Sequence, residues 1–219
     1  IPKIRDIGLI RHYEYCLMMK NSLDSLLAPA LRKSIEDNLG KVTMNKIEQR
    51  LMERHGVGVV QAIKEFSKLD SVLREFFGPG AEGLESRFIQ NIIKLESSKK
   101  ESENWIVLKD QILAKTIIES FADEEKKSIL ESVMNDSLAI ADILDKCKIS
   151  QSSGHEKISY LIENGLLVSN GDVSDGENNR KYQTAFSSVK MDIEKKSMVV
   201  KIQLKKIQLQ ESAMLQVIQ

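Results

Sequence analysis

The spacing of apolar residues changes once along this chain, and that change limits what the chain can fold into. Through Leu95, and again from Ile106 to Asn164, apolar side chains recur at every third or fourth position, the period of helices with one buried face. Beyond Leu166 the period falls to two. Val189–Ile193 and Met198–Leu204 alternate around Glu194-Lys195-Lys196-Ser197 and read as a hairpin. The expected fold class is therefore mainly α with a small β component, the strands confined to the C-terminal part.

The sharpest break in composition is Glu96–Asn104, nine residues without an apolar side chain. It is expected to be a linker or an exposed helix turn, dividing a helical bundle at 1–95 from a second domain at 105–219. Within the bundle, Ile10, Tyr13 and Leu17 share one face of a helix over Asp6–Met19. Ser22–Asn38 is a second helix, able to hold Pro29 only in its first turn or as a kink. A third starts at Thr43 as N-cap, carries Met44, Ile47 and Leu51, and stops at Gly56. A fourth runs through Val59, Ile63, Phe66, Leu69, Leu73 and Phe76, and after Gly78-Pro79-Gly80 a fifth carries Leu84, Phe88, Ile92 and Leu95. Met18, Met44, Met52, Ile63, Phe66, Leu73 and Phe77 are the expected core.

Ile106–Phe121 and Glu124–Met134 continue the helical period, with Asp123 as N-cap to the second. Leu138 and Ala139 are too few for a helix, Ile140–Cys147 is a brief one, and Lys148-Ile149-Ser150 turns the chain. Ser150 caps a helix over Gln151–Asn164 that Gly165 closes in the left-handed conformation. Leu166–Ser169, the polar loop 170–179 and Lys181–Phe186 follow as strand, wing and strand. The tail with Ile207, Leu209, Met214, Leu215 and Val217 is either a strand extension or a terminal dimer helix.

That order, together with Ile149-Ser150-Gln151-Ser152-Ser153-Gly154-His155-Glu156-Lys157-Ile158-Ser159-Tyr160-Leu161-Ile162-Glu163-Asn164-Gly165-Leu166-Leu167, resembles the recognition-helix region of winged helix-turn-helix transcription regulators of the ArsR/MarR-like type, particularly archaeal ones. Ile118–Leu130 is similar to the helix that precedes the motif in those families. The resemblance covers about residues 110–187 and leaves the N-terminal region unassigned. It implies a C-terminal winged helix with an additional β-hairpin, and a cytoplasmic homodimer that binds double-stranded DNA at a pseudo-palindromic operator. By correspondence, Gln151, Ser152, Ser153, His155 and Glu156 would read bases, while Lys157, Tyr160, Arg180 and Lys181 would position the backbone. The N-terminal bundle would dimerise or receive a small-molecule or protein effector.

Charge pulls the other way. The chain has 32 basic and 32 acidic side chains, and residues 109–206 carry 15 against 16. Glu156 stands where such regulators often carry Arg, Gly154 replaces an apolar residue, and the wing holds Asp172, Asp175 and Glu177. The alternative is a winged-helix module that binds protein within a larger assembly.

Other chemistries find little footing. Cys16 and Cys147 have no Cys-x-x-Cys or paired His, so reduced thiols are expected, no metal, and no cofactor. A redox or metal sensor built on these two cysteines, or on His12 with Cys16, is the weakest reading. Gly78-Pro79-Gly80-Ala81-Glu82-Gly83 precedes a helix but lacks the lysine and the preceding strand of a phosphate-binding loop. No nucleophile-with-base motif occurs, and an enzyme is not expected. No stretch reaches the roughly 20 apolar residues of a membrane span, and the start lacks a signal-peptide core. The first residue is Ile, so the chain is expected to begin inside, or after processing of, a longer one.

Overall fold

The computed structural model describes residues 22–96, 104–170, 180–195, 197–205 and 212–218. The first expected helix, over Asp6–Met19 with His12 and Cys16, lies outside them, as does the wing loop 171–179. The architecture is mainly α with a small antiparallel β part.

Helix α1 (Ser22–Leu39) is the axis of the N-terminal bundle, with Leu23, Leu26, Leu27, Leu31 and Ile35 buried along it. Around it pack α2 (Lys41–His55), α3 (Val59–Lys64) and α5 (Ala81–Ile92), with α4 (Phe66–Phe77) outside them. Gly40 ends α1 and opens α2: its N–H donates to Glu36 and its carbonyl accepts from Met44 N, so Thr43 lies inside α2 and is not its cap. The fourth helix is not continuous. It breaks at Glu65, whose backbone leaves the helical region at φ −114° and ψ 64°, and whose carboxylate takes Gln61 from one side and Lys68 from the other. Met52, expected in the core, is instead 55% exposed, and Phe76, on the apolar stripe of the expected fourth helix, is 41% exposed.

Two expected helices give way to strand. Ile93–Glu96 leaves the helical path as β1, and Trp105–Leu108 is β2, so helix α6 starts only at Gln111, where Asp110 caps it by accepting from Leu113 N. The run Trp-Ile-Val-Leu suits a pleated surface. β1 and β2 pair antiparallel across the segment expected to be a linker. β2 then pairs with β7 (Ser197–Leu204), which pairs with β6 (Phe186–Glu194), giving a four-stranded sheet in the order β1-β2-β7-β6. The additional hairpin is present at its expected place, and its partner strand is β2, just after the segment expected to be a linker.

After α6 (Gln111–Ala122) come α7 (Glu124–Ser132), β3 (Leu138–Ala139), α8 (Ile140–Cys147), α9 (Gln151–Glu163), β4 (Val168–Asn170) and β5 (Lys181–Gln183). The three short strands form a second sheet in the order β3-β5-β4. The strand expected over Lys181–Phe186 is split: buried Thr184 donates its hydroxyl to the Phe186 carbonyl at 2.6 Å, and the chain passes from one sheet to the other there. Asp123 and Ser150 cap α7 and α9 as expected. In the tail, Ala213–Ile218 is a helix, α10, folded against α4 and α5 of its own chain with Met214 and Leu215 buried.

The division expected between 1–95 and 105–219 is bridged by the β1–β2 pair, by the packing of α10 on α4 and α5, and by two contacts at the start of α1. Pro29 lies inside α1 and has no N–H for the Ser25 carbonyl four residues earlier. Against that carbonyl sits Gly165, at φ +71°, so close that a Cβ would stand 2.5 Å from Ser25 O and 2.8 Å from Leu26 Cα. One residue earlier, Asp24 is 2% exposed and accepts a 2.7 Å hydrogen bond from Ser212, which in turn accepts from Leu215 N at the start of α10. One hydrophobic core runs from α1 through both sheets to α10.

Gly165→Ala must adopt a left-handed backbone and press on the Ser25 backbone, so it should cost on the order of 3 kcal/mol in urea unfolding. Burial raises the Asp24 carboxyl to about 7, against the Ser212 hydrogen bond that lowers it, and burial likewise raises Glu85, beside Asp70, to about 7. Between about pH 4 and 7 the folded protein then holds protons that the unfolded chain releases, so stability falls as pH rises through that window and levels off above it. Asp24→Asn should shrink this fall and Asp24→Asn/Glu85→Gln should flatten it, each protein being followed by thermal unfolding from pH 4 to 8.

Candidate nucleic-acid interface

Helix α9 has three faces, and its sequence assigns each. Gly154, Ile158 and Leu161 are buried, as the sequence periodicity requires. At Gly154 the Leu144 side chain of α8 lies over the helix: a Cβ would meet Leu144 Cδ2 at 2.2 Å. The small residue that looks like a defect in helix propensity therefore makes room for the tip of that leucine.

The second face, Ser153, Lys157 and Tyr160, turns toward the first turn of α7. Ser153 donates to Glu125 at 2.6 Å, Lys157 donates to Asp123 at 2.6 Å, and the Lys126 ammonium lies 3.9 Å from the centre of the Tyr160 ring. Asp123 thus does two jobs: one carboxylate oxygen caps α7 through Lys126 N, the other holds Lys157. The Lys157 hydrogen bond, backed by the Lys126 N–H, holds the Asp123 carboxyl below the usual carboxylate range, and Asp123 in return raises Lys157. These three residues were expected among the DNA contacts, but the structure directs them at α7. A cation already paired has little to gain from phosphate.

The third face is exposed: Gln151, Ser152, His155, Glu156, Ser159 and Glu163. Its first turn borders a cavity of about 460 Å³ between α8, α9 and β5, lined by Ile140, Ala141, Leu144, Gln151, His155, Arg180 and Tyr182. The structure therefore brings Gln151, His155 and Arg180 to one groove. Exposed Lys181 follows Arg180 at the start of β5, and Ser152 sits outside the groove with its hydroxyl 3.5 Å from that of Ser150. Glu156 faces outward a turn further along, where its charge adds to that of Asp123 in raising Lys157, and Glu163 is exposed seven residues on.

One cation escaped the sequence reading. Lys148, in the turn before α9, is exposed and adopts the left-handed conformation at φ 56°, alone among the non-glycine residues described. A left-handed residue in a three-residue turn between two helices is a conformational demand, and a glycine there would have announced it; lysine concealed it. The partners of Lys157 were also hidden, although Asp123 and Glu125 stand in a helix's first turn, where acids are favoured for a reason of their own.

Elsewhere, among the described residues no group of three or more His, Cys, Asp and Glu could hold a metal. Cys147 is a half-buried free thiol packed against the core. His55 Nε2 lies 3.0 Å from Ser71 Oγ, but that hydroxyl donates to the Lys68 carbonyl, so the ring donates to the serine and does not take its proton. This is the reverse of what activating a nucleophile needs. No helix among the described residues is long and apolar enough to cross a membrane. No protein-family model, curated protein or solved structure matches the chain.

The Asp123–Lys157 pair is open to direct measurement. In Lys157→Ala the Asp123 carboxyl should titrate closer to its ordinary value in a carbon-detected NMR pH series. Since a depressed carboxyl adds stability that is lost as pH falls through its folded value, the variant should also show a shallower loss of stability below about pH 4.

Proposed function

We propose that residues 110–187 form a winged helix-turn-helix and that the chain is a sequence-specific DNA-binding regulator of transcription, acting as a homodimer. The observation that carries this reading is the α9 groove: a capped helix presents the polar side chains of its first turn beside an arginine from the neighbouring strand. The order α7-β3-α8-turn-α9-β4-β5, with the three strands arranged β3-β5-β4, supports it. A helix so placed can enter a major groove end-on, with Gln151 matching the paired donor and acceptor of adenine and Ser152 and His155 beside it.

The backbone contacts move relative to the expectation from sequence. Lys157 and Tyr160 stabilise the α7–α9 packing, while Lys148, Arg180 and Lys181 flank the first turn of α9 and take the phosphates. Three cations per protomer make a small electrostatic footprint. For a dimer that neutralises six phosphates with them, the logarithm of affinity should fall with the logarithm of salt concentration at a slope of about −5.

A second reading has an observation of its own. The outward residues Glu156 and Glu163 on α9, with exposed Asp142 and Asp145 on α8, give an acidic surface next to the reading turn. These exposed carboxylates suit a basic protein partner, and the module would then join an assembly and not bind DNA.

Selection from random duplex DNA at about 100 mM salt separates the two. Enrichment of a two-fold-related sequence is expected, with half-sites about one helical turn apart. Gln151→Ala/His155→Ala should then lose the sequence preference. Lys181→Ala should weaken all sequences alike and reduce the salt slope by about 2 per dimer. A library left unenriched by the full-length protein would remove the DNA reading and leave the protein-binding one.

A further inference from the structure

The hairpin of β6 and β7 runs out past the sheet that holds it. β2 pairs with β7 only between Val200 and Gln203, whereas β6 follows β7 to the turn, with Met191 opposite Val200 and Ile193 opposite Met198. One face of this ribbon is apolar along its length: Val200 and Ile202 are fully buried at its base, while Met191, Met198 and Ile193 near the tip are 38%, 43% and 79% exposed. The opposite face carries charge, with the Lys190 ammonium 4.1 Å from the centre of the Trp105 ring and the Asp192 carboxylate 3.9 Å from the Lys201 ammonium. β6 is also an outer strand of the sheet formed by the described residues, so its second edge offers main-chain donors and acceptors to a further strand. A two-stranded ribbon is marginal until a third strand joins it.

We propose that this third strand is β6 of a second copy of the chain, paired antiparallel about a two-fold axis at Met191. The charges select both the partner and the register. With Met191 opposite its own counterpart, Lys190 of each chain faces Asp192 of the other on the charged side, and Val189 faces Ile193 on the apolar side. Each pair then occurs twice, as a self-complementary interface requires. Opposite charges directly across a ladder stabilise it, and like charges destabilise it. An axis moved to Lys190 would set Lys190 against Lys190, and one moved to Asp192 would set Asp192 against Asp192. An axis between two residues would align the charged side of one strand with the apolar side of the other. At Met191 the two exposed apolar tips cover one another, and two four-stranded sheets become one of eight strands. The interface stands without the DNA reading, whose homodimer it supplies.

The test follows the full chain by sedimentation equilibrium, without DNA, over about 1–100 μM, where a monomer–dimer equilibrium is expected. Lys190→Glu and Asp192→Lys should each raise the dissociation constant at least about fivefold, and Lys190→Glu/Asp192→Lys should return it to within about twofold of wild type, because the exchanged charges again face their opposites. Circular dichroism and thermal unfolding show that each variant is folded. A second measurement reads the register directly. In a Cys16→Ser/Cys147→Ser background, Met191→Cys should join two chains on mild oxidation, whereas Ile193→Cys, whose counterpart stands across from Val189, should not. A chain that stays monomeric throughout, a dimer indifferent to both single charge changes, or oxidation that joins chains through Ile193→Cys and not through Met191→Cys overturns the interface. A dimer with the expected responses that enriches no DNA sequence removes the regulator reading alone. Enrichment of a two-fold-related sequence by a dimer that ignores these variants removes the interface alone.

Discussion

The approach of Gly165 to the Ser25 carbonyl is the contact on which the arrangement of the two halves depends. Two sequence features that look unrelated, a proline in the interior of one helix and a glycine closing another 136 positions later, meet there. The proline leaves a main-chain carbonyl without its helical donor, and the glycine is the one residue type that can both take the left-handed turn and lie flush against α1. Everything after α9 is placed from this point. β4 starts three residues beyond Gly165, β5 pairs with β4, and β5 carries the chain to the large sheet.

Composition alone hides that the two flanks of Glu96–Asn104 belong to one sheet. Glu96–Asn104 is polar enough to be a linker, and its flanks are apolar enough to end two helices. Yet Ile93–Glu96 and Trp105–Leu108 are a strand pair, because β2 satisfies its main-chain hydrogen bonds on both sides, against β1 and against β7, which lies about 100 residues further on in sequence. Four-residue strands flanked by helices carry no periodicity of their own: Ile-Lys-Leu-Glu and Trp-Ile-Val-Leu fit the end of a helix as readily as a strand. What was legible were the features fixed by local chemistry, namely the Asp123 and Ser150 caps, the Gly165 closure, the buried stripe of α9 and the final hairpin.

The candidate site was legible in the same partial sense. A helical repeat tells which residues of α9 are buried, but it does not divide the remaining arc between solvent and a neighbouring helix. Ser153, Lys157 and Tyr160 lie on that arc at spacings of four and three, and only the position of α7 assigns them inward. The correction sharpens the meaning of the chain's neutral charge. With Lys157 committed to Asp123, the described cations that flank the first turn of α9 are Lys148, Arg180 and Lys181, and all three lie outside α9 itself.

The rigid links of α9 are at its far end and along its side: Gly165 on Ser25, and the contacts with α7. The first turn, which holds Gln151 and His155, lies at the opposite end of the helix, so displacing it relative to the bundle would mean moving a core that is continuous from α1 to α10. Such cores resist small displacements because their packing is dense. Arg180 and Tyr182, at the margin of β5, line both the groove beside that turn and the cavity that Ser25, Gln61 and Lys64 of the bundle border, so the two regions share side chains as well as a core.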